Sequence, residues 1–160
     1  GAGESDYAFD LLTSTSDRSW WNMIRSGSTI TLEAWDMKYK PNSDWNHAWG
    51  SAPANIISRR LWGIRPVAPG FSKAVIEPQT GRLENSQITV PTIKGAIKAS
   101  FIRQGMEKET YTFDIPAGIY AEFIIPSEKV RTVHVNKKKT SAAKGSLQLK
   151  PGHYEIEIRK

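Results

Sequence analysis

Cysteine is absent from this 160-residue chain, so the sequence excludes disulfides and thiol chemistry and leaves the redox compartment open. No run approaches the roughly 18 apolar residues that a membrane-spanning helix requires. Histidine is scarce, and His47, His134 and His153 lie far apart without HExxH-like spacing. We therefore expect no catalytic metal, no other cofactor and no membrane span.

The composition is that of a globular protein, with 39% hydrophobic and 24% charged residues. Positive charge is concentrated in the second part of the chain. Residues 1–63 carry six Lys/Arg and seven Asp/Glu, a net −1, whereas residues 64–160 carry sixteen and nine, a net +7. A nucleic-acid surface would interleave aromatic residues with this charge. The lysines at 137–139 instead lie between Asn136 and Thr140, which is typical of an exposed hairpin tip, so we expect no nucleic-acid partner.

Residues 1–63 favour short helices. A helix that begins around Leu32 would place Glu33 in its first turn, where the helix dipole favours the ionised carboxylate that a base requires. The clearest helix follows, with Ser51 as N-cap, Pro53 in the first turn and Gly63 at the end.

From Ile64 onwards the pattern changes to strands. Pro66, Pro69 and Gly70 interrupt any helix and mark a boundary. Apolar residues then alternate with polar ones, as in Tyr111 and Phe113. Strands are predicted near residues 73–77, 83–90, 94–103, 108–114, 119–125, 130–135, 146–149 and 153–159. Tight turns between them predict an antiparallel β-sandwich over residues 64–160, so the fold class is mainly β with N-terminal helices.

The segment Thr29 to Gly63 concentrates side chains that bind sugars. A pyranose presents hydroxyl groups at its rim and C–H groups on its faces, so its binding sites combine polar side chains with an aromatic ring. This segment contains four of the six tryptophans, namely Trp35, Trp45, Trp49 and Trp62. It also contains the polar residues Glu33, Asp36, Asn46 and His47.

Each of these residues also has a purely structural interpretation. A tryptophan is most often a core residue whose indole N–H is satisfied. Glu33 alone is typical of a solvated carboxylate at a helix start, and His47 alone is typical of a surface or structural histidine. Only the combination favours a sugar pocket.

Four motifs in this region carry a resemblance to a known family. They are GSTITLEAW at 27–35, NHAWGSAP at 46–53, LWGIRP at 61–66 and PGF at 69–71. As a set they resemble the C-terminal end of bacterial α-L-rhamnosidases, which are inverting glycoside hydrolases. The resemblance covers roughly residues 15–100.

The resemblance implies an (α/α)6 barrel followed by a β-sandwich. Residues 1–63 would be the C-terminal helical part of a truncated barrel, and residues 64–160 the sandwich. It implies that Glu33 is the general base and that His47 binds the sugar, with Trp35 and Trp49 lining or supporting the pocket. The substrate would be a rhamnose-containing carbohydrate. The general acid would lie upstream, so we expect the chain alone to lack hydrolase activity.

Two other interpretations remain open at this point. In one, the chain is a non-catalytic carbohydrate-binding β-sandwich with a helical arm. In the other, it is a structural domain whose exposed tryptophans mark a lost partner surface. Exposure of Trp20, Trp21 and Trp35 would also favour self-association of the chain.

Overall fold

The computed structural model describes residues 5–126, 130, 132–141 and 145–160, and these are mainly β with short helices near the N-terminus. The chain divides into two compact units, Gly1–Ile57 and Ser58–Lys160. The predicted class, mainly β with N-terminal helices, is confirmed. The predicted strand over 130–135 includes position 131, which lies outside the described residues.

From residue 5 onwards, the first unit contains three short α-helices joined by segments that are otherwise irregular apart from one 3₁₀ turn. Helix α1 spans Ser5–Thr13, α2 spans Trp20–Arg25 and α3 spans Ala52–Ile56. The Ser19 side chain caps α2 by accepting a hydrogen bond from the backbone N–H of Asn22 at 3.1 Å.

The predicted helix at Leu32 is wrong. Residues 29–47 form no helix and make backbone hydrogen bonds across a loop instead. The N–H of Glu33 donates to the carbonyl of Asp44 at 3.0 Å, and the N–H of His47 donates to the carbonyl of Thr31 at 2.9 Å. These long-range bonds satisfy backbone groups that a helix would have paired four residues apart. Glu33 therefore receives no help from a helix dipole.

The predicted helix after Ser51 is present but irregular. A 3₁₀ turn over Ala48–Ser51 leads into α3, which has a proline in its first turn, and a π-helical turn over Ile57–Leu61 follows. Gly63 then adopts a left-handed conformation with φ of 62°. An L-residue would be strained there, which explains why the helical path ends at a glycine.

The second unit is a sandwich of two sheets. Its strands are β1 (Arg65–Pro66), β2 (Lys73–Ile76), β3 (Asn85–Val90), β4 (Ile97–Gln104), β5 (Lys108–Ile115), β6 (Tyr120–Ile124), β7 (Thr132–Val135), β8 (Lys138–Thr140), β9 (Ser146–Leu149) and β10 (Gly152–Arg159). One sheet has the order β1-β2-β6-β9, and the other has the order β3-β4-β5-β10-β7-β8. All pairs are antiparallel except β2 with β6, which are parallel.

Strand alternation places one face of each sheet in the core. Tyr111 and Phe113 of β5 are fully buried, and both rings contact Phe123 of β6 with centroids 5.2 and 5.0 Å apart. These aromatic contacts join the two sheets. Trp62 is also buried, and its indole N–H donates to the hydroxyl of Ser86 at 3.2 Å.

The basic residues at 137–139 behave as predicted. Asn136 and Lys137 have positive φ angles of 49° and 67° and form the turn between β7 and β8. Their side chains are exposed to solvent, as are those of Lys138 and Lys139. The predicted hairpin tip is thus confirmed.

The first unit has a much smaller interior than the second. Met23 and Leu32 are its buried apolar side chains among the described residues. Several large apolar side chains are exposed instead, namely Tyr7, Leu11, Trp21, Ile24, Ile30, Tyr39, Trp45, Trp49 and Ile57. Of the three tryptophans expected to be exposed, Trp21 is 49% accessible, whereas Trp20 and Trp35 are half-buried.

Candidate functional site

The loop from Thr31 to His47 holds the candidate site, and hydrogen bonds close it at its base. Besides the two backbone bonds already described, the Thr31 hydroxyl donates to the carbonyl of His47 at 2.8 Å. Glu33 and His47 therefore belong to neighbouring hydrogen-bonded pairs at the base of the loop, although fourteen positions separate them in the sequence.

The carboxylate of Glu33 is held at both oxygens. The Lys40 ammonium donates a hydrogen bond to Oε1, and the backbone N–H of Asp44 donates to Oε2 at 3.3 Å. Only 20% of the Glu33 side chain is accessible. Lys40 is the main cause of a lowered pKa for Glu33, and the Asp44 amide adds to it. His47 lowers the pKa of Glu33 further through space, so the carboxylate is ionised at neutral pH.

An aromatic surface lies at the C-terminal end of the loop, beside its closed base. The rings of His47 and Trp49 stack with centroids 5.1 Å apart and an interplanar angle of 13°. Trp49 is 74% accessible, while His47 is half-buried beneath it. One face of the indole is covered by the imidazole, and an exposed indole can bind the C–H face of a sugar.

Trp35 has a supporting position. Its ring meets that of Trp20 edge to face, with centroids 5.1 Å apart and an angle of 85°. The indole N–H of Trp20 donates to the carbonyl of Gly50 at 2.7 Å, and the buried Asn22 amide donates to the carbonyl of Trp35 at 2.9 Å. These contacts connect α2 with Trp35 in the loop and with Gly50 after it.

Two further polar residues of the loop differ in their surroundings. Asp36 accepts hydrogen bonds from the Asn22 amide and from the backbone N–H of Lys38, and these lower the pKa of its carboxyl group. Asn46 is exposed. Asp36 thus helps to fold the loop.

Sequence reasoning missed Lys40 and the backbone of Asp44 as partners of Glu33. Lys40 lies in a polar segment with no periodic pattern, and its sequence separation from Glu33 carries no recognisable motif. The helix predicted at Leu32 would have made a helix dipole the cause of the ionisation of Glu33. In the structure, Lys40 and the Asp44 amide are the main causes.

The described part of the chain shows no group of three or more His, Asp or Glu side chains that could hold a metal ion. Within those same residues, no helix has the length and apolar character needed to cross a bilayer.

Two family models match the chain, and together they cover most of it. The bacterial α-L-rhamnosidase six-hairpin glycosidase domain matches residues 1–61. The bacterial α-L-rhamnosidase C-terminal domain matches residues 63–140.

Curated relatives agree with these matches. An α-L-rhamnosidase from Alteromonas sp. (strain LOR) is 30% identical over 166 aligned positions, covering 98% of this chain and 18% of the relative. An α-L-rhamnosidase from Streptomyces avermitilis is 27% identical over 135 positions, covering 79% of this chain and 13% of the relative. The chain therefore spans less than a fifth of the length of these relatives.

Solved structures show the same fold. The α-L-rhamnosidase from Dictyoglumus thermophilum superimposes with a TM-score of 0.84 and 20% identity, over 99% of this chain and 19% of that chain. The Streptomyces avermitilis α-L-rhamnosidase complexed with L-rhamnose gives a TM-score of 0.79 and 23% identity, over 98% and 16%. The chain belongs to the bacterial α-L-rhamnosidase family and is its C-terminal region, comprising the end of the (α/α)6 six-hairpin domain and the β-sandwich that follows.

Proposed function

We propose that the whole protein hydrolyses terminal α-L-rhamnose from glycans or glycosides with inversion, and that Glu33 is its general base. The observation that carries this proposal is the ionised, half-buried carboxylate of Glu33 on the same closed loop as the His47–Trp49 stack. The relatives named above are α-L-rhamnosidases, which supports this substrate class.

Glu33 suits the base role better than the other acids of the loop. Inverting hydrolysis requires a carboxylate that removes a proton from the attacking water. Asp36 is engaged by Asn22 and by the Lys38 backbone, and Asp44 contributes its backbone to the Glu33 site while its side chain is exposed. Glu33 differs from Asp36 in its ion pair, because the Lys40 ammonium binds one oxygen of the Glu33 carboxylate, and it differs from Asp44 in being partly buried.

His47 and Trp49 would bind the sugar. The imidazole offers hydrogen bonds to ring hydroxyls, and the exposed indole offers a face to the sugar C–H groups. Trp35 would act indirectly, because its ring packs against Trp20 and fixes the path of the loop. A rhamnose-containing carbohydrate is thus the expected partner.

The acid of the pair would come from another part of the whole protein. Inversion needs two carboxyl groups about 6.5 to 9.5 Å apart, one protonated and one ionised. This chain spans only 18% of its Alteromonas relative, and the helices around the site form only the end of the six-hairpin domain. We therefore propose that the 160-residue chain alone does not hydrolyse rhamnosides.

The decisive experiment compares Glu33→Gln with Asp44→Asn in the whole protein. The first removes the base and the second removes a neighbouring exposed carboxylate while keeping the backbone N–H. With an aryl α-L-rhamnoside, Glu33→Gln should lower kcat by about 10² to 10⁴-fold, and Asp44→Asn should leave it close to normal. Proton NMR should show the β-anomer of rhamnose as the first product. Full activity of Glu33→Gln, or an α-anomer formed first, would refute the proposal.

A second candidate function is sugar binding by the sandwich. The six-stranded sheet carries a groove of about 480 Å³ whose lining includes Gln87, Thr89, Lys98, Ser100, Thr112 and Asp114. These side chains supply donors and acceptors on adjacent strands, as a polyhydroxylated ligand requires. L-rhamnose added to the labelled chain would shift amide resonances of β3 and β4 under this function. Shifts confined to the loop of Glu33 would favour the catalytic function.

A further inference from the structure

The two oxygens of Glu33 have unequal partners. Oε1 accepts a hydrogen bond from the charged Lys40 ammonium, whereas Oε2 accepts one from the neutral backbone N–H of Asp44 at 3.3 Å. A charge-assisted hydrogen bond is shorter and stronger than a neutral one. Oε1 is therefore the more firmly occupied oxygen, and Oε2 keeps more capacity to accept another donor.

Lys40 is placed by the fold of the loop. Its backbone N–H donates to the carbonyl of Met37 at 3.2 Å, and its own carbonyl accepts from the N–H of Ser43 at 2.9 Å. Ser43, at the end of this turn, is buried. The Lys40 side chain is 43% accessible, so its pairing with Glu33 follows from backbone placement rather than from deep burial.

We infer that Lys40 is a positioning residue for the candidate base: its ammonium holds Oε1 of Glu33 and leaves Oε2 to receive the proton of the attacking water. This inference rests on the proposed function of Glu33. In the step it serves, the water oxygen bonds to the anomeric carbon while the glycosidic bond breaks. The water proton passes to Oε2, and the leaving oxygen takes its proton from the partner acid.

The Lys40 cation also helps to keep the base ionised while the partner acid stays protonated. An inverting pair needs one carboxyl group ionised and the other protonated, and two nearby carboxyl groups compete for the same proton. Lys40 favours the ionised state of Glu33, as do the Asp44 amide and His47. The shared proton is thereby directed to the acid.

The first test is a pH titration of the Glu33 carboxyl group in the 160-residue chain. The titration is monitored by ¹³C NMR with labelled glutamate. Glu33→Gln identifies the resonance. Lys40→Met should raise the titration midpoint of Glu33, and Lys40→Arg should keep it low because the cation is retained. Lys38→Met is the matched control, since Lys38 lies on the same loop but pairs with Asp17, outside the loop, at 2.5 Å. Lys40→Gln supplies a second neutral variant in case Lys40→Met does not fold. A midpoint that is the same in the neutral Lys40 variants and in Lys38→Met would overturn the inference.

The second test is the pH dependence of kcat/KM in the whole protein. The acid limb of the profile should move to higher pH in Lys40→Met and return in Lys40→Arg. An unchanged Glu33 titration and an unchanged acid limb in the neutral Lys40 variants, with Glu33→Gln still inactive, would overturn the positioning role and leave the proposed function intact. Full activity of Glu33→Gln would instead refute the proposed function, whatever the Lys40 variants show.

Discussion

Asn22 connects helix α2 to the loop that carries Glu33, and its replacement should loosen that loop measurably. The side chain is buried, with 3% of the residue accessible. Its amide donates to the carbonyl of Trp35 at 2.9 Å and to Oδ2 of Asp36 at 3.3 Å, and its oxygen accepts from Arg25 at 2.7 Å. Asn22→Ala removes all three bonds.

The expected cost follows from these contacts. A neutral hydrogen bond contributes about 1 kcal/mol and one to a charged group about 1.5 kcal/mol or more, with a further penalty for a buried group left unpaired. Arg25 retains Asp17 as a partner at 2.9 Å, so the loss of its bond to Asn22 adds little to the cost. We therefore expect Asn22→Ala to lower the free energy of unfolding by about 2 to 3 kcal/mol.

Urea unfolding followed by tryptophan fluorescence measures this effect. Five of the six tryptophans precede Ile57, so the signal reports chiefly on the first unit. Far-ultraviolet circular dichroism follows the sandwich in the same samples, because two units need not unfold in one step. Asn46→Ala, an exposed asparagine of the same loop, is the control. A fluorescence transition at the same urea concentration in Asn22→Ala and Asn46→Ala would refute the reasoning.

Three further predictions concern the sandwich. Gly63→Ala should destabilise the sandwich more than Gly105→Ala. Both glycines have φ above 60°, which costs about 1 to 2 kcal/mol for alanine. At Gly63 the new Cβ would in addition lie 2.1 Å from the Glu77 carbonyl oxygen, whereas at Gly105 it would meet no atom within 4 Å. Equal urea midpoints would contradict this. Phe123→Ala should cost about 3 to 5 kcal/mol, measured by circular dichroism in urea, because Phe123 is fully buried between the sheets; a cost below 1 kcal/mol would contradict it. Burial of Tyr111 raises its pKa, so the folded state keeps the phenol neutral while the unfolded state ionises near pH 10. Stability should therefore be intact below pH 10 and fall above it, and Tyr111→Phe should show a weaker fall in urea midpoint between pH 9 and pH 11; parallel curves would contradict this.

The strands of the sandwich were largely predictable from sequence because burial on one face leaves a local pattern. Tyr111 and Phe113 alternate with polar residues, and their strand lies within one residue of its predicted bounds. Strand β1 was missed because it has two residues, one of them Pro66. The parallel pairing of β2 with β6 was also missed, since partners far apart in the chain leave no local signature.

The sequence motifs select the residues of the candidate site, whose roles stay a prediction, but they do not give its geometry. The structure places Glu33 and His47 near the closed base of one loop. The conformation of the loop depends on the hydrogen bonds between Thr31 and His47, which are sixteen residues apart. No periodic pattern in the sequence indicates this pairing. The partnership of Glu33 with Lys40 has the same origin, because it arises from turns that the tertiary structure imposes.

The two candidate side chains differ in how far they support the loop that carries them. Main-chain atoms of Glu33, Asp44 and His47, together with Thr31, form the closing bonds, and the His47 imidazole takes no part in them. The Glu33 carboxylate, in contrast, accepts a further bond from the Asp44 backbone N–H across the loop. Position 47 can consequently change its side chain and retain the same backbone frame, whereas a change at position 33 also removes a bond that holds the loop.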